Sequence, residues 1–287
     1  MPPSFAALAS EAQARLSHRF DFGAEVGAGG QGLVFRARRR LRPDGTPTSD
    51  DVAVKLHHDP AQDERITREI DMMTRLRHAC LANLLEHGAV DVGGDQVRYI
   101  AWEFIEGEPL AKIIARGPVP PLTVAVAGRD VATAVNEVWS EHVVHRDVKP
   151  GNIMLRAGHD NAVLIDLGCA RHLDHSTLTG AGYRVGTDGY MSPEQALGEH
   201  QLTCFSDVFA LGLTLTEALT GRHPTNRQQH LIRSTRIMPS ALATTAPAGL
   251  VGLLDRMLHP RPAFRPRPDQ LADAFDRLVR QMQPPTP

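Results

Sequence analysis

The chain has 287 residues, 42% hydrophobic and 22% charged, with 31 basic against 33 acidic side chains and a formal net charge of −2. That is the make-up of a globular protein with material for two units of ordinary size, and it excludes a strongly basic nucleic-acid binder or a chain of membrane spans, so neither nucleic acid nor membrane is expected as a partner. Cys80, Cys169 and Cys204 lie far apart with no CxxC pair, and the 14 histidines show no HExxH spacing, so neither a disulfide framework nor a zinc site is expected.

In chain order, the amino terminus MPPSFAALASEAQ has neither a basic start nor a continuous apolar segment, which reads as no secretory signal and a cytoplasmic location. Residues 1–18 read as a short flank with some helical character. From Phe20, short β-type runs at Val52–Leu56 and Tyr99–Phe104 surround one helical segment. After Pro109 the period changes: Val124, Val131, Val135 and Val138 recur at helical spacing, as do Leu271, Phe275, Leu278 and Met282. A smaller strand-rich part therefore joins a larger helical part near Glu103–Glu108, an α+β organisation. The apolar stretch Val208–Leu219, interrupted by Thr214, Thr216 and Glu217, is too short to cross a bilayer. QPPTP closes the chain as a frayed tail.

Four short stretches carry chemistry. In GAGGQGLV, Gly27, Gly29 and Gly32 satisfy G-x-G-x-x-G, and glycines let backbone N–H groups approach phosphates closely. The alternating run LVFRARRR follows, so a hairpin lid over a nucleotide is expected rather than the strand-to-helix turn of a dinucleotide site; a merely flexible hairpin is the plain alternative. VAVK ends a strand-like run in Lys55, an ammonium needing an anionic partner, and Glu69 in RITREIDMMTRLRH sits on a helix whose Ile66, Ile70, Met73 and Leu76 face inward. HRDVKPGN places Asp147, Lys149 and Asn152 between apolar flanks, where unpaired charge is too costly to persist without a binding or chemical role. LIDLG adds Asp166.

In this order the motifs, with SPE at 192–194, resemble a eukaryotic-type (Hanks-type) Ser/Thr protein kinase domain, of the kind also found in bacteria, over nearly the whole chain from Phe20 to Met282. The resemblance implies a bilobal α+β fold: a flank at 1–18, a kinase domain at about 19–281 with an N-lobe at 19–103, a hinge at 103–108 and a C-lobe at 109–281, then a tail. It implies ATP and Mg²⁺, with Mn²⁺ as a substitute, and protein substrates with Ser or Thr hydroxyls. Phosphoryl transfer needs mainly positioning and charge neutralisation. Asp147 would orient the acceptor hydroxyl, Lys149 stabilise the γ-phosphate, Lys55 hold phosphate oxygens with Glu69 as its partner, and Asn152 and Asp166 ligate the metal. Gly27, Gly29, Gly32, Val34, Ala53, Glu103, Ile105, Glu108 and Met154 would contact the nucleotide, and Trp102 would close the space behind the adenine against inhibitors that enter it.

Two departures stand out. DLG replaces DFG, with Leu167 keeping an apolar plug, and Lys55 and Glu69 are only 14 positions apart, which implies a trimmed connection into the helix. Arg146 before Asp147 marks, in the family, an activation loop ordered by phosphate, so Thr179, Thr177 and Ser176 are phosphorylation candidates and self-association for autophosphorylation is expected. Thr187 resembles the Thr that bonds the catalytic Asp and Lys, Asp207 the anchor of the catalytic loop, and Arg265 the partner of Glu194. Arg36, Arg38, Arg39, Arg40 and Arg42 read as a solvated basic turn in preference to a docking surface. Two alternatives to an active protein kinase stay open: a pseudokinase scaffold, and a small-molecule phosphotransferase.

Overall fold

Along Asp51–His57 the residues Val52 to Leu56, Lys55 included, are buried in succession, so both faces of this strand are covered. The computed structural model describes residues 5–29, 32–57, 63–167, 171–172, 186–199, 201–243 and 245–283. The chain falls into two compact units, one comprising the residues up to Arg77 with Ala82–Ile105, the other His78–Leu81 with the residues from Glu106 onward. The chain passes between the units at Arg77–His78, Leu81–Ala82 and Ile105–Glu106.

The first unit contains α1 (Phe5–Arg15), β1 (Phe20–Gly29), β2 (Gly32–Arg39), β3 (Asp51–His57), α2 (Asp63–Arg75), β4 (Leu84–Val92) and β5 (Asp95–Glu103). Its strands form an antiparallel sheet in the order β1-β2-β3-β5-β4, which puts β3 in the middle. Side chains alternate between the faces of a strand. Val52, Val54 and Leu56 therefore share one face with Tyr99 and Ala101, and they form a single apolar cluster with Leu8, Ala9, Ala12 and Leu16 of the amino-terminal segment. Ala53 and Lys55 turn to the opposite face.

The amino-terminal segment thus differs from the flank expected. Its helix covers a sheet face that would otherwise be wet, and its apolar residues are small enough (Ala9, Ala12) to bring helix and sheet close. Leu8 is 4% exposed. Leu8→Ala should lower stability by about 2 kcal/mol, at the low end for buried Leu→Ala, read as a shifted urea midpoint; an unchanged midpoint would return the segment to the status of a flank.

The basic run is also settled by structure. Arg39 is buried and pairs with Asp50 at 2.6 Å, Arg36 pairs with Asp51 at 2.8 Å, and Arg40 approaches Asp21 at 3.5 Å. These acids neutralise the arginines within the hairpin, so one of the five is a core residue and not a solvated charge.

In the second unit come β6 (Gly107–Pro109), α3 (Leu110–Ile114), α4 (Pro121–Ser140), β7 (Val143–Val144), β8 (Ile153–Arg156), β9 (Ala162–Leu164), β10 (Arg171–His172), α5 (Pro193–Ala196), α6 (Cys204–Thr220), α7 (Gln229–Ser234), α8 (Pro239–Leu242), α9 (Ala248–Met257) and α10 (Pro268–Met282). α6 is mostly apolar and is buried from Ser206 to Leu219, as a central helix must be, with Asp207 and Glu217 as acids inside it. α4 packs against both α6 and α10. Buried Asp130 on α4 accepts the Ala162 N–H at 2.8 Å and ties that helix to the small sheet β6-β8-β9. Among the described residues, no helix is long and apolar enough to cross a membrane.

Candidate active site

The segment His145–Asn152 links β7 to β8. Val143, Val144, Ile153 and Leu155 on its flanks are no more than 2% exposed, so its ends are fixed in the core. Its backbone is fixed as well: the buried Asp207 carboxylate on α6 accepts the His145 N–H at 2.9 Å and the Arg146 N–H at 2.8 Å. Burial pushes the Asp207 carboxyl up, and the charges and N–H groups of His145 and Arg146 push back. Arg146 stands at φ 66°, in the left-handed region, and its carbonyl accepts from Gln195 Nε2 at 2.8 Å. Non-glycine residues there cost of order 1–3 kcal/mol and persist where surroundings over-determine them, typically at functional sites.

This clamp presents a tight polar network. Thr187 Oγ1 donates to Asp147 Oδ1 at 2.7 Å, while Lys149 Nζ donates to Asp147 Oδ2 at 2.7 Å and to Thr187 Oγ1 at 2.6 Å. Asn152 Nδ2 donates to the Asp147 carbonyl at 2.9 Å and to Oδ2 at 3.0 Å. The Asp147 carboxylate, at 7% exposure, is met by three donors, and the threonine brings residues forty positions apart into one cluster. Both Asn152 bonds use its nitrogen, which leaves the carboxamide oxygen as the hard ligand a divalent cation would meet. Ile165 N donates to the Asn152 carbonyl at 2.9 Å, bringing Asp166 alongside, itself at φ 65°. Leu167 is buried, as a plug should be. No group of three His, Cys, Asp or Glu side chains gathers for a metal among the described residues, and a site of one carboxylate, one carboxamide and nucleotide phosphates needs none.

The remaining expected residues fall into two sets. In the first unit, Val34 lies opposite Lys55 in register and Ala53 opposite Trp102, so Val34, Ala53 and Lys55 share the face turned away from α1. Lys55 and Glu69 are 6% and 3% exposed, and each has a polar or electrostatic partner. Gly27 pairs with Val34 and Gly29 with Gly32, the hairpin expected and not the helix of a dinucleotide site. Gly32 is obligatory: at φ 144°, a Cβ would lie 2.2 Å from the Leu56 carbonyl oxygen. Glu103 ends β5 and accepts from Asn83 Nδ2 at 3.3 Å, with buried Ile105 two residues on. In the second unit, Glu108 forms a surface ion pair with Arg116 at 2.7 Å, which holds its carboxyl below the usual range, and Met154 lies on β8, two residues after Asn152. Ser176, Thr177 and Thr179 lie outside the described residues.

Set against known proteins, the family described as "Protein kinase domain" matches residues 20–274, most of the chain. The chain belongs to the protein kinase domain family. Relatives of this kinase domain include a serine/threonine-protein kinase PknB of Mycobacterium leprae, 36% identical over 218 residues, covering 73% of this chain and 33% of the relative. PknB of Mycobacterium tuberculosis is 33% identical over 267 residues, 87% of this chain and 41% of its own length. A probable serine/threonine-protein kinase of Corynebacterium efficiens is 36% identical over 217 residues, covering 73% and 32%. The chain thus spans about a third to two-fifths of the length of these relatives.

Sequence reasoning passed over Tyr190 and Arg227, and met Glu217 only as an interruption in an apolar run. All three line one cavity beside the Asp147 network. The available signal was an acid inside an otherwise apolar helix, which requires a partner.

Proposed function

We propose that this domain transfers the γ-phosphate of ATP, as its magnesium complex, to Ser and Thr hydroxyls of proteins. The observation that carries the reading is Asp147 held by Thr187, Lys149 and Asn152. Bound magnesium nucleotide supplies the phosphoryl group and the positive charge that offsets its oxygens. Asp147 orients the acceptor hydroxyl and takes its proton, and Lys149 neutralises negative charge next to it. Asn152 and Asp166 offer oxygens to the metal. Within the first unit, Lys55 with Glu69 as its counter-charge is suited to phosphate oxygens, the glycine hairpin with Val34 and Ala53 to a nucleotide, and the backbone groups of Glu103 and Ile105 to a base. Within the second unit, Glu108 and Met154 are the residues suited to nucleotide contact.

Autophosphorylation between two copies, at Thr179, Thr177 or Ser176, raises activity by adding a phosphate that pairs with Arg146. A reducing cytoplasmic setting suits Cys80 and Cys204, free thiols that burial pushes up to about 11 and about 12.

The test is incubation with γ-labelled ATP, magnesium and a mixed protein substrate, followed by phosphoamino-acid analysis. Label in phosphoserine and phosphothreonine supports the reading; label confined to small molecules, or none, removes it. Thr187→Val deletes a hydrogen bond to each of two charged groups. Such bonds are worth about 1.5–3 kcal/mol each, so the loss of one in the transition state lowers kcat roughly 10- to 100-fold, while Thr187→Ser stays near wild type.

A further inference from the structure

Beside Lys149 and Thr187 the second unit carries a cavity of 470 Å³ whose wall includes Tyr190, Glu217 and Arg227. Glu217 is a 5% exposed carboxylate on apolar α6, and both its oxygens are taken. Oε2 accepts from the Tyr190 hydroxyl, and Oε1 accepts from Arg227 Nη2 at 3.1 Å. The Arg227 side chain is itself 63% exposed, so what the cavity offers an incoming group is a guanidinium and not the acid beneath it.

Arg227 is built into this place. Asn226 and Arg227 stand at φ 49° and 61°, strained for residues with a Cβ. Buried His223 fastens the turn: its Nδ1 accepts the Arg227 N–H at 2.9 Å and the Thr225 N–H at 3.2 Å. Gly189, two residues past Thr187 and at φ 92°, lets the two backbones touch, since a Cβ there would fall 2.8 Å from Arg227 Cα. The turn carrying Thr187 and the turn carrying Arg227 are thus packed as one piece.

We propose that Arg227 sets the side-chain preference of this cavity, which receives an acidic residue of the protein substrate close in sequence to the acceptor hydroxyl. This rests on the phosphotransfer reading above. Residues of an extended peptide advance about 3.3 Å each, so a side chain within a few positions of a hydroxyl at Asp147 reaches the cavity. An acidic residue meets Arg227 directly. A basic residue meets like charge, or must displace a tethered guanidinium whose effective concentration at Glu217 is high. Without Arg227 the same cavity exposes a carboxylate and its preference inverts.

The experiment uses the 287-residue chain and fluorescent peptides with Ala at the acceptor position and Glu or Arg scanned through the flanking positions. Anisotropy is expected to show the wild type binding the best Glu peptide about tenfold tighter than its Arg counterpart, and Arg227→Ala reversing that order. Arg227→Gln, which keeps a donor for Glu217, guards against misfolding and should abolish the Glu preference. An identical ranking in wild type and folded variants, or an Arg preference in the wild type, overturns the proposal. Serine versions of the peptides with ATP separate the two readings: the expected ranking without transfer overturns phosphotransfer alone, and transfer without the ranking overturns the role of Arg227 alone.

Discussion

Arg265→Ala is expected to destabilise the second unit by about 3–5 kcal/mol, the usual cost of removing one partner from a buried ion pair. The Arg265 side chain is fully buried and that of Glu194 is 7% exposed; Nη1 and Nη2 meet the two carboxylate oxygens at 2.5 and 3.0 Å. The same guanidinium donates to the carbonyls of His259, Phe205 and Pro260 and lies 4.7 Å from the Phe209 ring centre. Its loss leaves Glu194 with Ser206 Oγ, at 2.9 Å, as its remaining side-chain donor. Urea unfolding reads the loss, and Glu194→Gln in the Arg265→Ala background should recover part of it by removing the stranded charge.

The pH dependence follows from the same pair. Burial pushes the Glu194 carboxyl up, but Arg265 and Ser206 outweigh it and hold the group below its ordinary value. A carboxylate depressed in the folded state contributes stability above its unfolded pKa of about 4.3 and loses it as pH falls through the lower folded value. The gap between wild type and Arg265→Ala should therefore be widest near neutrality and close in acid.

Asp147→Asn is expected to lower phosphoryl transfer about 10²- to 10⁴-fold, the range for removing a positioned general base. The substitution keeps the shape of the side chain and an oxygen for Lys149 or Thr187, so the segment anchored by Asp207 should stay folded. On the proposed reading, what is lost is the negative charge that would face the acceptor proton. Initial rates on a protein substrate, with nucleotide binding followed in parallel, should show a large fall in kcat and little change in nucleotide affinity. Comparable losses of both would place Asp147 in nucleotide binding instead.

Much of this was legible in the residues. A strand run ending in a lone lysine, valines at helical spacing on α4, and charged groups between apolar flanks at 145–152 each declare their environment locally. Other features were not, because they are tertiary. The segment that became α1 is rich in small alanines, whose pattern does not say that a sheet face lies beneath them. Arg39 looks like its four basic neighbours until the hairpin brings Asp50 to it. The link of Asp207 to the His145 backbone, 62 positions away, came from family resemblance and has no local signature. Arg227 over Glu217 depends on two residues in a left-handed turn that propensity alone would not place there.

The most direct measurement is intact mass of the phosphatase-treated chain before and after magnesium ATP, followed by peptide mapping. The account predicts added phosphoryl groups on Ser or Thr residues in the wild type and none in Asp147→Asn. A wild-type chain that binds magnesium ATP yet gains no phosphate and passes none to any protein would contradict it.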